Sequence, residues 1–142
     1  MDRKKILVIE DEPDFSKAIQ ILLETNGYEV VTAFSGKEGL QMARNVSPDL
    51  IILDVMLPEI DGYKICRLLK FDERYKKIPI VMLTARAQEQ DKILGKQTGA
   101  DAYLVKSDKP ELLLEQIRFF LKGSPPSGEA RLSGGPPLPK LS

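Results

Sequence analysis

Leu50-Ile51-Ile52-Leu53-Asp54-Val55-Met56-Leu57-Pro58-Glu59-Ile60-Asp61-Gly62 sets the pattern for the rest of the chain. Four bulky aliphatic residues run without a polar break and stop at a carboxylate, and a proline and a glycine then mark a loop. Continuous rather than alternating apolarity predicts a strand covered on both faces, the habit of parallel sheets. Ile6–Ile9 and Ile80–Leu83 have the same form, and two weaker strands are predicted at Tyr28–Ala33 and Ala102–Val105.

Helical patterns separate these runs. Phe15, Ala18, Ile19, Leu22 and Leu23 share one helix face, and Gly27 supplies a stop. Ser35 with Glu38 forms a capping box that opens a second helix through about Asn45. A third is predicted over about Gly62–Phe71 and a fourth over about Glu89–Thr98, ended by Gly99. Asp108 with Glu111 caps a fifth, whose face is Leu113, Ile117, Phe120 and Leu121. Strict strand–helix alternation predicts an α/β fold: a doubly wound parallel sheet with helices on both faces and right-handed crossovers.

The 142 residues suffice for one domain. After Lys122 the composition changes: residues 123–142 hold half of the ten prolines, four of the ten glycines and no aromatic residue. Such a segment cannot offset its ordering entropy by burial. The expected division is therefore 1–122 as the folded domain and 123–142 as a flexible tail, a linker or an appended segment. Pro136-Pro137-Leu138-Pro139-Lys140 could form a polyproline II ligand, against the simpler reading of a plain tail.

Absences narrow the chemistry. No histidine is present, which removes His-based triads, bases and metal sites. A single cysteine, Cys66, rules out an intrachain disulfide and suits a reducing cytoplasm; on a helix it reads as a small buried hydrophobe. The 21 basic and 21 acidic residues cancel, so no basic balance points to nucleic acid. The N-terminal apolar run is too short for a signal peptide, and no run is long enough for a membrane span.

Ligands of open parallel sheets bind beyond the carboxyl ends of the strands. There the chain delivers Glu10, Asp11 and Glu12 after the first strand, Asp54 after the third, Thr84 after the fourth and Lys106 after the fifth. Glu10, Asp11 and Asp54 crowd negative charge with only Lys106 opposing it. A divalent cation relieves that conflict, and all-oxygen ligands select a hard one, Mg²⁺ with Mn²⁺ as substitute. Asp54 could then act as a nucleophile toward a phosphoryl group, since carboxylates form aspartyl phosphates. Lys106 and the Thr84 hydroxyl would bind phosphoryl oxygens.

The segments 6–12, 50–62, 79–85 and 99–106, in this order, resemble the receiver domain of bacterial two-component response regulators. The resemblance spans about residues 4–121. It implies a flavodoxin-like (βα)5 fold with sheet order 2-1-3-4-5. It implies Asp54 as phospho-acceptor, and Asp11, Asp54 and the Met56 carbonyl as Mg²⁺ ligands beside Glu10. Thr84 becomes the switch hydroxyl, Lys106 the phosphate-pairing lysine, and Tyr103 the switch aromatic that turns from exposed to buried; a tyrosine in an edge strand can equally be plain packing.

Implied partners are a sensor histidine kinase or a His-containing phosphotransfer protein, and an effector protein or covalently linked output domain. A phosphorylation-dependent homodimer is a further option, and neither nucleic acid nor membrane is a direct partner of this segment. The responding surface is the fourth helix, fifth strand and fifth helix. The implied role is a cytoplasmic switch rather than an enzyme, limited to its own phosphoryl uptake and loss. Bulky Met56 and Arg86, two residues beyond Asp54 and Thr84, are expected to slow that loss. Two other readings are an interaction module that works unphosphorylated and a Mg²⁺-dependent phosphatase. The second is poor, because Met56 stands where such an enzyme needs a second acid. One departure is visible: Ser107, not proline, follows Lys106, which favours a trans peptide there.

Overall fold

A computed structural model of the chain describes residues 3–85 and 99–122. The elements are β1 (Lys5–Ile9), α1 (Pro13–Thr25), β2 (Glu29–Ala33), α2 (Gly36–Val46), β3 (Leu50–Asp54), α3 (Gly62–Lys70), β4 (Ile80–Thr84), β5 (Ala102–Val105) and a C-terminal helix, α4 (Pro110–Lys122). The helix expected over 89–98, Arg86 and the segment 123–142 lie outside the described residues. The strands form one parallel sheet in the order β2-β1-β3-β4-β5. This is the expected flavodoxin-like order. Among the described residues no helix is long and apolar enough to cross a membrane.

Every residue of β3 and β4 is buried, as their unbroken apolar runs require. Strand alternation sorts the core onto two faces. Leu7, Ile9, Ile51, Leu53, Met82 and Tyr103 pack on one, with Ala43 of α2 and Ile65, Cys66 and Leu69 of α3. Ile6, Val8, Leu50, Ile52, Val81, Leu83 and Leu104 pack on the other, with Ile19 and Leu23 of α1 and Leu113, Leu114 and Ile117 of α4. Cys66 is buried, as its place on a helix suggested.

Caps follow the sequence with one exception. Ser35 Oγ accepts Glu38 N–H at 3.1 Å, and Glu38 reaches back to Phe34 N–H at 2.8 Å. Asp61 Oδ1 accepts Lys64 N–H at 2.9 Å and opens α3. Asp108 turns the other way: its Oδ2 accepts Val105 N–H at 3.1 Å, closing the turn after β5. The face of α1 follows the expected one except at Ala18. Ser16, Ile19 and Leu23 are buried, whereas Ala18 is exposed and Phe15 half-buried. Phe15 and Leu22 pack partly buried against that core, and with Ala18 and Ile19 they line a cavity of about 470 Å³ toward α4.

Gly62 fixes how the loop after β3 returns to its helix. Its N–H donates to the Val55 carbonyl at 2.9 Å, and a Cβ there would collide with the Asp54 carbonyl and the Val55 backbone. Backbone cannot yield as a side-chain tip does. Gly62→Ala is therefore expected to cost about 2–3 kcal/mol in a urea titration and to displace Asp54. An unchanged midpoint would contradict this packing.

Candidate functional site

Parallel register brings the strand ends to one rim. Ile9 lies beside Leu53, Asp54 beside Leu83, and Thr84 beside Val105. One step beyond, Glu10 and Asp11 follow β1 and Lys106 follows β5. Carboxylate oxygens of Glu10, Asp11 and Asp54 all lie within 4.8 Å of one another. Among the described residues this is the one such convergence. Glu10 and Asp54 are each only 2% exposed, whereas Asp11 is exposed.

Lys106 Nζ stands 2.8 Å from Glu10 Oε1 and 3.5 Å from both Asp54 Oδ1 and Glu12 Oε1. Its backbone N–H donates to the Thr84 carbonyl at 2.7 Å, which joins two of the expected site residues directly. Glu10 Oε2 accepts Glu12 N–H at 2.9 Å, and Asp54 Oδ1 accepts Met56 N–H at 3.2 Å. The Met56 side chain itself is exposed.

Two buried carboxylates and one ammonium leave the rim acidic. Burial, and then repulsion from Glu10, pushes the Asp54 carboxyl up to about 6, against the pull of Lys106 and the Met56 amide. Burial works to lower the Lys106 ammonium, but Glu10, Asp54 and Glu12 together outweigh it and hold it above its usual value. A neighbouring cation would remove the penalty on Asp54. Three carboxylates without nitrogen or sulfur donors fit a small hard divalent ion that keeps part of its water.

Thr84 is buried, on the sheet face that alternation assigns to Met82 and Tyr103. Tyr103 stands in the inward position at 1% exposure, its hydroxyl 3.3 Å from that of Tyr63 on α3. All expected site residues thus gather at one end of the sheet, with Tyr103 one layer below the rim. Sequence reasoning passed over Glu12 as a partner of Lys106, although it sits in the same acidic run. It also passed over Tyr63, which no local pattern distinguishes, and over Phe15, whose ring centre lies 4.7 Å from Lys106 Nζ.

Residues 6–118 match the sequence family described as "Response regulator receiver domain". A relative from Synechocystis, the "DNA-binding dual master transcriptional regulator RpaA", is 46% identical over 118 residues, covering 83% of this chain and 49% of that protein. The Bacillus subtilis "Alkaline phosphatase synthesis transcriptional regulatory protein PhoP" is 43% identical over 121 residues, covering 85% of this chain and 50% of that one. The chain thus spans about half the length of these curated relatives.

Among solved structures, CheY4 of Vibrio cholerae superposes with a TM-score of 0.79 at 34% identity, over 84% of this chain and 100% of that one. The signal receiver domain of a histidine kinase from Syntrophus aciditrophicus gives 0.80 at 31%, over 90% and 96%.

Proposed function

Because this chain belongs to the response regulator receiver domain family of two-component systems, we propose that its rim is a phosphoryl-accepting switch with Asp54 as the acceptor. The observation that carries this is the convergence of Glu10, Asp11 and Asp54 within 4.8 Å, with Lys106 Nζ 3.5 Å from Asp54. A buried carboxylate beside a fixed ammonium and a cation-binding acid cluster is what in-line phosphoryl transfer demands.

Asp54 presents an oxygen to phosphorus as the bond from phosphorus to the donor breaks, and the donor leaves with that electron pair. Lys106 pairs with one phosphoryl oxygen, and the Thr84 hydroxyl binds another. Asp11, Asp54 and the Met56 carbonyl, with Glu10 behind them, would hold Mg²⁺, or Mn²⁺ in its place. When bound, the ion neutralises charge on the transferring group. No histidine lies in these 142 residues, so a phosphohistidine donor, on a sensor kinase or a phosphotransfer protein, lies outside them.

Drawing Thr84 toward the phosphoryl group changes the space above Tyr103 on their shared face. The population then shifts toward a surface, around β5 and α4, that an effector or a covalently linked output unit reads. We take residues 1–122 as this receiver unit, acting in the cytoplasm.

Incubation with acetyl phosphate and Mg²⁺, followed by intact mass measurement, tests the proposal. Gain of one phosphoryl group is expected in the native chain and not in Asp54→Ala. An adduct retained by that variant, or none in either protein, would refute it.

A further inference from the structure

The Lys106 ammonium stands 2.8 Å from Glu10 although little in its own loop directs it there. The peptide to Ser107 is trans, and proline returns only at Pro110. The backbone is tied at two points: Lys106 N–H to the Thr84 carbonyl at 2.7 Å, and the turn behind it through Asp108, whose N–H donates to the Val105 carbonyl at 2.9 Å while its carboxylate accepts Val105 N–H. Neither tie reaches the ammonium, which ends a stem of four methylenes.

What reaches the ammonium is asymmetric. On one side stand Glu10, Asp54 and Glu12. On the other opens the cavity of about 470 Å³ between α1 and α4, lined mainly by aliphatic residues such as Ala18, Ile19, Leu22 and Leu104. Phe15 is the one aromatic residue in that lining, and its ring faces Lys106 Nζ at 4.7 Å. An aromatic face attracts an ammonium that has shed part of its water, and at 16% side-chain exposure Lys106 has shed most of its own.

We propose that Phe15 is a positioning residue for phosphoryl transfer, its ring face holding the Lys106 ammonium within reach of the group arriving on Asp54. This inference rests on the acceptor reading of Asp54. Without the ring, the acids and solvent share the ammonium over several rotamers. Alignment then has to be recovered during each transfer, which slows it.

The test compares the native chain with Phe15→Leu, which keeps apolar bulk, and Phe15→Tyr, which keeps the ring. Acetyl phosphate is the donor, so no partner surface enters. Phe15→Leu is expected to slow phosphoryl uptake by about three- to tenfold, and Phe15→Tyr to restore it. In a Lys106→Ala background, Phe15→Leu is expected to change nothing further, because the ring acts through that lysine.

A second readout needs neither metal nor phosphoryl group. Relaxation of lysine labelled with carbon-13 at Cε is expected to show Lys106 ordered in the native chain and Phe15→Tyr, and mobile in Phe15→Leu. Equal uptake by the native chain and Phe15→Leu, or a slowing that persists without Lys106, overturns the role of Phe15 while leaving Asp54 as acceptor. Absence of any adduct on the native chain removes the acceptor reading and this inference with it.

Discussion

Lys106→Met is expected to destabilise the metal-free protein by about 2–4 kcal/mol at pH 7.5, measured by urea denaturation in a chelating buffer. Methionine preserves most of the stem and its packing but deletes the charge. Glu10 and Asp54, both 2% exposed, then face each other without a counter-ion. Removing one partner of a buried ion pair costs about 3–5 kcal/mol. The low end applies because the Lys106 side chain retains 16% exposure, so water shares in its role. Two manipulations should return most of the loss. Mg²⁺ replaces the missing charge, and Glu10→Gln in the same chain removes one of the opposed carboxylates. A Lys106→Met protein as stable as the native chain without metal would show that the ammonium does not balance the rim.

Asp54→Asn is expected to do the opposite and stabilise the metal-free fold at pH 7.5. The folded-state value of Asp54 is pushed up to about 6, above the unfolded value of about 3.9. The folded chain therefore holds this proton more tightly than the unfolded chain. The stability so gained is fully present below about pH 4 and is lost as pH rises through about 6, a swing of about 2–3 kcal/mol. Asparagine carries no such swing. The stability difference between the two proteins should open between about pH 4 and 7 in favour of Asp54→Asn, and Mg²⁺ should close it by stabilising the native chain alone. A difference independent of pH, or an equal gain from Mg²⁺ in both, would contradict the strain assigned to Asp54.

Much of this was legible in the residues. The runs at 6–9, 50–53 and 80–83 are strands in the structure because sheet residues covered on both faces leave no room for polar alternation. The gathering of the rim residues was legible too, because parallel strands deliver their carboxyl ends to one side, and there the chain places Glu10, Asp11, Asp54, Thr84 and Lys106. Periodicity could not supply the order of strands in the sheet, which rested on the resemblance of four motifs.

What escaped depends on contacts between distant elements. Apolar spacing puts Phe15, Ala18 and Leu22 on the core side of α1; Phe15 and Leu22 do pack there, but Ala18 is exposed and Ser16 is buried, which apolar spacing does not signal. Asp108 looked like a cap, but closing the turn after β5 takes its carboxylate. Phe15 under Lys106 and Tyr63 against Tyr103 pair residues 91 and 40 positions apart in the chain, where no local rule applies.

The hydroxyl contact between Tyr63 and Tyr103 has a mechanical meaning. It joins an edge strand to a helix two strands away, so an outward swing of the Tyr103 ring, if Tyr103 is the switch proposed above, would have to break this contact with α3. The two phenols belong to different layers, so such a swing would reach α3 as directly as the sheet margin. With no tryptophan in the chain to drown the signal, parting of the two phenols should register as a change in near-ultraviolet absorbance, an optical gauge already carried by the molecule.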